Sequence, residues 1–309
     1  MSRLIEQAAQ RLEQLRQAGV AVPAAAHDAA MNGASHSSPE VAPTTQPIHA
    51  SRGAGGGSRR VELDLMALVA AGIVTPSAPR SQTGDQFRVI KRPLISNAMG
   101  QGASILKHAN LIMVTSALPG EGKTFTSINL AMSLAAELDH SVMLVDADLA
   151  RPSVPRVLGL PEGPGLLDVL DGSAEMADVL LKTNIDKLTI LPSGTPHPRA
   201  TEMLASDAMR QLLDDMASRY SDRIIVFDSP PLLLTTESRA LATNMGQIVV
   251  VVQAGKTLQS DVQHALATIE ACPVKLLVLN QARTDAQGAY GYGYGYGHGY
   301  GYGRQKHES

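Results

Sequence analysis

Short apolar runs recur along the chain between residues 110 and 280, and most are followed by longer stretches with helical character. The runs that we predict as strands cover residues 111–117, 141–147, 188–192, 223–228, 247–254 and 274–280. The longest predicted helices end near Leu138 or cover 201–220 and 258–271. Strands that are apolar throughout and alternate with helices are typical of a parallel sheet covered on both faces. The pattern therefore predicts an α/β fold with a doubly wound, mostly parallel sheet.

The pattern outside this region divides the rest of the chain. Residues 1–19 predict an amphipathic helix, which is either a docking helix or a helix in a disordered arm. Residues 20–60 are rich in Ala, Pro, Ser, Gly and His without a period, which predicts a flexible linker. A short helical segment and loop follow at 61–84, and the α/β domain is predicted at 85–285. The chain ends in a Tyr-Gly-rich tail at 286–309.

The composition of the chain excludes several classes of protein. Hydrophobic residues make up 44% of the chain, which is enough for a packed core. The net charge of −3 argues against nucleic-acid binding, which needs a strongly basic face. The single cysteine, Cys272, is predicted to be a buried thiol. No apolar run suits a signal peptide or the ~18 residues of a membrane span, so we expect a cytoplasmic protein that meets a membrane only through a partner.

A phosphate-binding loop is predicted between the first strand and its helix. Residues 117–124 read Ala-Leu-Pro-Gly-Glu-Gly-Lys-Thr, the P-loop pattern with Ala in place of the first Gly. Glycines let several N–H groups face one anion, and the helix N-terminus adds its dipole. Lys123 would contact the β- and γ-phosphates of ATP and Thr124 would bind Mg²⁺, whereas the alternative is an ordinary glycine turn with a solvated lysine. The predicted nucleotide-binding residues are Pro119, Gly120, Glu121, Gly122, Lys123, Thr124, Phe125 and Asn280.

Aspartates stand at the ends of two predicted strands. Asp146 and Asp148 end the second strand, and Asp228 ends the fourth. Ligands of open α/β sheets bind at the carboxyl ends of strands, and Mg²⁺ takes carboxylate and phosphate oxygens. Asp228 therefore fits the Walker B role, and Asp146 and Asp148 would share one face of a regular strand. The alternative for each aspartate is a helix cap or a turn residue.

At this point the sequence resembles the bacterial tyrosine kinases of capsule and exopolysaccharide synthesis. The matching pieces are Pro-Gly-Glu-Gly-Lys-Thr at 119–124, Asp-Ala-Asp-Leu-Ala-Arg-Pro at 146–152, Asp-Ser-Pro-Pro at 228–231 and the terminal tyrosine cluster. The resemblance covers about 85–303, and residues 86–94 look like a subgroup found beside exosortase-linked polysaccharide loci. In that subgroup the kinase is a separate soluble chain.

The resemblance implies roles for individual residues. Asp146 would be the base or orienting group for the tyrosine hydroxyl, and Asp148 and Asp228 would position Mg²⁺ with Thr124. Arg151 would make the phosphate contact of an arginine that many relatives carry where this chain has Ala150. The predicted catalytic residues are Lys123, Asp146, Asp148 and Arg151, and those overlying the family's oligomerisation motif are Asp85, Arg88 and Lys91.

The resemblance also implies partners. They are a second copy of the chain in a homo-oligomer, a membrane-embedded polysaccharide chain-length regulator and a tyrosine phosphatase. The chain-length regulator would place the kinase at the inner face of the inner membrane as a peripheral protein.

The tail carries most of the tyrosines of the chain. Alternate glycines prevent a Tyr-Gly repeat from building a packed core, so we expect a mobile segment. Tyr302 lies 19 positions after Arg283, a distance of at most about 65 Å when extended, which reaches a neighbouring subunit. The tail is thus predicted to be the kinase's own substrate, phosphorylated in trans, and the alternative is a low-complexity self-association tail. The predicted phosphorylation sites are Tyr290, Tyr292, Tyr294, Tyr296, Tyr300 and Tyr302.

Two other functions compete with this interpretation. A partition-type P-loop ATPase would carry a signature lysine where this chain has Leu118. A non-catalytic, nucleotide-gated adaptor of a polysaccharide-export complex would bind nucleotide without transferring phosphate.

Overall fold

The computed structural model describes residues 58–102, 106–219 and 222–282. The predicted N-terminal helix, nearly all of the predicted linker, Tyr220 and the tyrosine tail lie outside these ranges. The strands are β1 (Arg59–Arg60), β2 (Leu111–Ser116), β3 (Ser141–Asp146), β4 (Leu181–Lys182), β5 (Leu188–Leu191), β6 (Arg223–Asp228), β7 (Gln247–Gln253) and β8 (Val274–Asn280).

Helices connect most of these strands. They are α1 (Leu65–Ala70), α2 (Gln82–Ala98), α3 (Lys123–Ala135), α4 (Val154–Val157), α5 (Leu166–Leu170), α6 (Met176–Val179), α7 (Ala200–Leu204), α8 (Asp207–Arg219), α9 (Thr236–Ala242) and α10 (Gln259–Ala267). No helix in the described part of the chain combines the length and apolar character needed to cross a bilayer.

The strands form one sheet in the order β1-β4-β5-β3-β6-β2-β7-β8. All neighbours are parallel except β4 and β5. The predicted α/β fold with a mostly parallel sheet is thereby confirmed. Strands β3, β6, β2 and β7 are consecutive and parallel, so their carboxyl ends lie at one edge of the sheet. The loops that follow these strands meet there.

A hydrophobic core lies on each face of the sheet. Along β2, Leu111 and Met113 belong to one core and Ile112 and Val114 to the other, because successive side chains of a strand point to opposite faces. Cys272 is buried in the same core as Leu111, as predicted for a structural thiol, and burial raises its pKa.

The segment before residue 85 is part of this domain. Strand β1 pairs with β4, and the buried side chains of Val61, Leu63, Leu68 and Ile73 join the main core. The linker prediction therefore extended too far at 58–60, and the boundary predicted at residue 85 falls inside helix α2. This helix was missed because Pro93 lies within it, and proline usually ends a helix.

The long helix predicted over 201–220 is interrupted. Helix α7 ends at Leu204 and α8 begins at Asp207. Between them, the Ser206 hydroxyl accepts a hydrogen bond from the Met209 amide at 3.2 Å, as an N-cap residue does. A serine that caps a new helix therefore divides an otherwise continuous helical pattern.

Candidate active site

The loop between β2 and α3 adopts a conformation that two glycines permit. Gly120 and Gly122 have φ angles of 84° and 97°, in the left-handed region that side chains disfavour. A Cβ atom at Gly122 would lie 2.1 Å from the Asn280 side-chain nitrogen. That Asn280 nitrogen donates to the backbone oxygen of Glu121 at 2.9 Å. Asn280, at the end of β8, therefore supports the loop backbone, and its predicted contact with nucleotide stays a prediction.

Glu121 supports the same loop from inside the protein. Glu121 is buried, with 2% of its surface exposed. The carboxylate accepts the Leu118 amide at 2.6 Å and a hydrogen bond from the Thr257 hydroxyl. Because both oxygens are used within the protein, the Glu121 side chain shapes the loop and does not face a ligand. Leu118, where a partition-type ATPase would carry its lysine, packs against the hydrophobic core.

The lysine at the start of α3 lies close to one of the predicted aspartates. Lys123 Nζ is 3.8 Å from Asp148 Oδ2, and each side chain is 10% exposed. Burial raises the pKa of Asp148, and the nearby Lys123 charge opposes that rise. The backbone amide of Arg151 donates to Asp148 Oδ1 at 3.2 Å, which closes the turn after β3.

Thr124 and Asp228 form the second contact of the site. The Thr124 hydroxyl donates to Asp228 Oδ2 at 2.7 Å and lies 2.9 Å from the Ser153 hydroxyl. Ser127 donates to Asp228 Oδ1 at 2.9 Å. Burial raises the pKa of Asp228 to about 6, although these hydroxyl donors and Lys123 lower it in part.

The donor set fits a magnesium ion. Among the described residues no three His, Cys, Asp or Glu side chains cluster as a metal site. The contact between Thr124 and Asp228 instead places a hydroxyl and a carboxylate oxygen together, with Asp148 beside Lys123. Mg²⁺ in phosphate-binding sites takes one or two carboxylates and completes its shell with phosphate and water.

Asp146 is the most constrained of the three aspartates. It is fully buried, and its Oδ2 accepts the amides of Ser153 and Val154, each at 2.9 Å. Its Oδ1 accepts the Asp148 amide at 3.3 Å, a longer and weaker contact. Burial and the negative charge of Asp228 raise the pKa of Asp146 to about 7. A carboxylate with such a pKa is suited to proton transfer near neutral pH.

Strand alternation does not explain the closeness of Asp146 and Asp148. Strand β3 ends at Asp146, so Asp148 lies in the following turn. The predicted shared strand face was therefore wrong. The two residues meet because the Asp148 amide turns back to the Asp146 carboxylate.

Other predicted residues take different positions. Phe125 is partly buried and packs against the main core, so its ring has a structural contact. Arg151 and Pro119 are exposed. Asp85 and Arg88 form a surface ion pair at 2.7 Å with side chains 41% and 56% exposed.

Lys91 lies inside the protomer, unlike the other two residues predicted for oligomerisation. Its side chain is 4% exposed, forms an ion pair with Glu137 at 2.7 Å and donates to the Ser133 backbone oxygen. The hydrogen bond from Lys91 lowers the pKa of Glu137, in spite of partial burial. Lys91 therefore connects α2 to the end of α3 and is not available to a neighbouring copy.

Sequence reasoning missed three hydroxyl residues of the site. Ser127 lies one turn after Thr124, so the i, i+3 spacing at the start of α3 was a usable signal. Ser153 and Thr257 carry no such signal, because each reaches the loop from a distant part of the chain.

Fold and site together define a P-loop nucleotide-binding protein. A glycine loop joins a central parallel strand to a helix, and a lysine, a threonine and buried aspartates converge beside it. The family model described as "AAA domain" matches residues 109–278, and the chain belongs to that family.

Comparison with curated proteins gives the family within this class. The chain is 31% identical over 221 residues to the tyrosine-protein kinase YwqD of Bacillus subtilis. The match covers 71% of this chain and 90% of YwqD. It is 32% identical over 181 residues to the tyrosine-protein kinase ptk of Acinetobacter johnsonii, covering 58% of this chain and 24% of that longer protein. The chain therefore belongs to the bacterial tyrosine-protein kinases.

Solved structures show the same relationship. The kinase domain of Escherichia coli tyrosine kinase ETK is 25% identical, with a TM-score of 0.57, and the match covers 75% of this chain and 98% of that one. The chimerical protein CapA2B2 is 26% identical, also with a TM-score of 0.57, and the match covers 71% of this chain and 92% of that one.

Proposed function

We propose that this kinase uses ATP and Mg²⁺ to phosphorylate the C-terminal tyrosine cluster of a neighbouring copy, and that this controls exopolysaccharide synthesis or export. The observation that carries the proposal is the buried Asp146, whose pKa is raised to about 7 and whose neighbours Asp148 and Asp228 contact the P-loop residues Lys123 and Thr124. A tyrosine kinase needs a proton acceptor, and a nucleotide-gated adaptor does not.

The chemistry assigns one task to each group. A bond forms between the tyrosine oxygen and the γ-phosphorus, and the bond from that phosphorus to the β–γ bridging oxygen breaks. The tyrosine proton passes to Asp146. We assign Oδ1 as the acceptor, because Oδ2 already takes two amide hydrogen bonds. A tyrosine hydroxyl has a pKa of roughly 10, so the proton moves as the oxygen–phosphorus bond forms.

Lys123 and the residues around it stabilise charge. Transfer of a phosphoryl group depends on positioning and charge neutralisation more than on covalent catalysis. Lys123 supplies a positive charge to the β- and γ-phosphates, and Arg151 contributes from the exposed rim. Thr124, Asp148 and Asp228 would hold Mg²⁺, which neutralises phosphate charge when bound.

Sequence and surface support the regulatory part of the proposal. Six tyrosines of the tail, from Tyr290 to Tyr302, follow the last strand. Asp85 and Arg88 stand exposed on α2, where a second copy can reach them. A membrane-embedded chain-length regulator would recruit the kinase to the inner face of the membrane, and a tyrosine phosphatase would reverse the modification. Co-purification with that membrane protein would test the recruitment.

The test of the central activity is incorporation of labelled phosphate from ATP. The purified chain with Mg²⁺ should label on tyrosine, and peptide mapping should place the label at 290–302. Lys123→Met should abolish labelling, whereas Lys107→Met, which changes an exposed lysine before β2, should not. A Lys123→Met protein that labels as well as wild type would overturn the P-loop assignment.

A further inference from the structure

The outer edge of β8 has no partner strand in the described part of the chain. Strand β8 stands at one end of the sheet order, paired only with β7. The Ala254 amide donates to the Asn280 carbonyl at 2.9 Å, so the backbone groups of Asn280 face β7. Because these groups alternate along a strand, those of Lys275, Leu277 and Leu279 face outward. An edge of this kind is a template for pairing with another strand.

One face of the same strand exposes leucines. Leu277 and Leu279 are 57% and 64% exposed, whereas Leu276 and Val278 pack against the main core. Leu277 stands beside Val250 of β7, which is fully buried on that face. The covered face of β7 therefore continues into an uncovered apolar strip on β8, formed by Leu277 and Leu279.

The sequence that follows β8 has the period of a strand. All six tail tyrosines stand at even positions, and glycines occupy the odd positions from Gly291 to Gly303. In a β-strand residues two apart share one face, so every ring in such a strand would lie on the same side. The segment from Tyr290 to Tyr296 has seven residues, the same number as β8.

The connection between the two segments is suited to an antiparallel return. Gln281, the residue after β8, has a φ of 57°, in the left-handed region common in turns. Only the residues from Gln281 to Ala289 separate β8 from Tyr290. A parallel neighbour would need a crossover of a dozen or more residues, whereas an antiparallel neighbour needs only a loop.

We propose that the unphosphorylated tail pairs antiparallel with the outer edge of β8 in its own subunit, with the rings of Tyr290 to Tyr296 covering Leu277 and Leu279. Cross-strand pairs of an aromatic with an aliphatic side chain stabilise a sheet. Alternate glycines weaken a strand, so the pairing is reversible and requires the preformed edge of β8.

This pairing directs the tail away from the active site. The carboxyl end of β8 lies near the P-loop, where Asn280 contacts Glu121. An antiparallel return runs from that end towards Val274, so the paired tyrosines lead away from the nucleotide loop. Tyr300 and Tyr302 lie beyond the paired segment. A consequence that rests on the proposed function is that phosphate on Tyr290 to Tyr296, at about −1.5 to −2 charges each, prevents return to the apolar strip.

Amide hydrogen exchange of β8 tests the pairing without kinase activity. The protein is the full chain carrying Lys123→Met, without nucleotide, compared with the same chain ending after Gly288. With the tail present, the outward amides of Lys275, Leu277 and Leu279 should exchange at least tenfold more slowly. The inward amides of Leu276 and Val278 should be unchanged and serve as the internal control. Equal exchange of the outward amides in both proteins would overturn the proposal.

Two variants identify the contact and the occupant. Leu277→Ser with Leu279→Ser should remove the protection, whereas Leu138→Ser, at a leucine 85% exposed after α3, should not. A chain with Tyr290, Tyr292, Tyr294 and Tyr296 changed to Ser should also lose it, which excludes an effect of tail length. Protection that rises with protein concentration and disappears on dilution would assign the edge to another copy and contradict pairing within one subunit.

Discussion

Asp146 and Asp228 are paired residues at the ends of the neighbouring strands β3 and β6. Both are fully buried, and the negative charge of Asp228 contributes to raising the pKa of Asp146 to about 7. Two buried carboxylates at adjacent strand ends are unfavourable for the folded protein unless a cation or a proton joins them. The proposed function would account for this arrangement, because its site takes up a metal ion and a proton during the reaction.

The first prediction concerns stability against pH. The folded-state pKa of Asp146 lies above its usual value, so the folded protein binds the proton more tightly than the unfolded chain. Stability without nucleotide should therefore fall as pH rises from about 4 to about 7. Asp146→Asn has no such titration. Between pH 5 and pH 8 wild type should therefore lose on the order of 1–3 kcal/mol of unfolding free energy relative to the variant.

Urea unfolding at the two pH values measures this difference. Asp186→Asn, at an exposed aspartate, is the matched control. Its free energy of unfolding should differ from that of wild type by the same amount at both pH values. If the Asp146→Asn difference also stayed constant, Asp146 would not carry the buried charge described here.

The second prediction separates binding from catalysis at the same residue. Asp146→Asn should keep nucleotide affinity close to that of wild type and lose tyrosine phosphorylation. It removes the proton acceptor, while the amide oxygen still accepts the Ser153 and Val154 amides. Nucleotide titration and phosphate labelling on one preparation measure both. A collapse of affinity would show that Asp146 is a metal or structural residue.

The third prediction concerns the support of the P-loop. Thr257→Val keeps the shape of the side chain but removes the hydroxyl that donates to the buried Glu121 carboxylate. Loss of that bond should weaken nucleotide binding roughly fivefold, equivalent to about 1 kcal/mol. Thr257→Ser keeps the hydroxyl and should restore affinity. Equal affinity of the Val and Ser variants would mean that the contact does not hold the loop.

The fourth prediction distinguishes internal from external charges on α2. Lys91→Met removes the buried partner of Glu137 and should cost about 1–3 kcal/mol of unfolding free energy at neutral pH. The cost should shrink at acid pH, when Glu137 is protonated, because Lys91 holds the pKa of Glu137 down. Arg88→Met, on the exposed side, should leave stability unchanged and reduce self-association.

Denaturant unfolding and sedimentation measure these two effects separately. A Lys91→Met protein as stable as wild type would contradict the internal role of Lys91. An Arg88→Met protein that assembles normally would exclude α2 as the surface of self-association.

Strands and the nucleotide loop were predictable because their signals are local. Apolar runs located β2, β3, β5, β6, β7 and β8, with small differences at their ends. The glycine spacing located Lys123 and Thr124. The sequence did not reveal β1 or β4, since strands of two residues carry no periodicity.

Contacts between distant segments were not predictable in the same way. The Thr257 hydroxyl meets Glu121 across 136 positions, and no local pattern marks either residue as a partner. Lys91 matched a surface motif by spacing alone. Its burial depends on Glu137 and on the way α2 packs against α3, which only the tertiary structure shows.

Transfer between copies is the most direct test of the proposed function. Two proteins that should not label their own tails are mixed with ATP and Mg²⁺. One is Lys123→Met with an intact tail, and the other has an intact core with all six tail tyrosines changed to Phe. Label should appear on the Lys123→Met chain alone, because the active core of one chain reaches the tail of the other. If neither chain were labelled while wild type was, transfer would occur within one subunit, and heavy label on the Phe-tailed chain would show that the tail is not the main substrate.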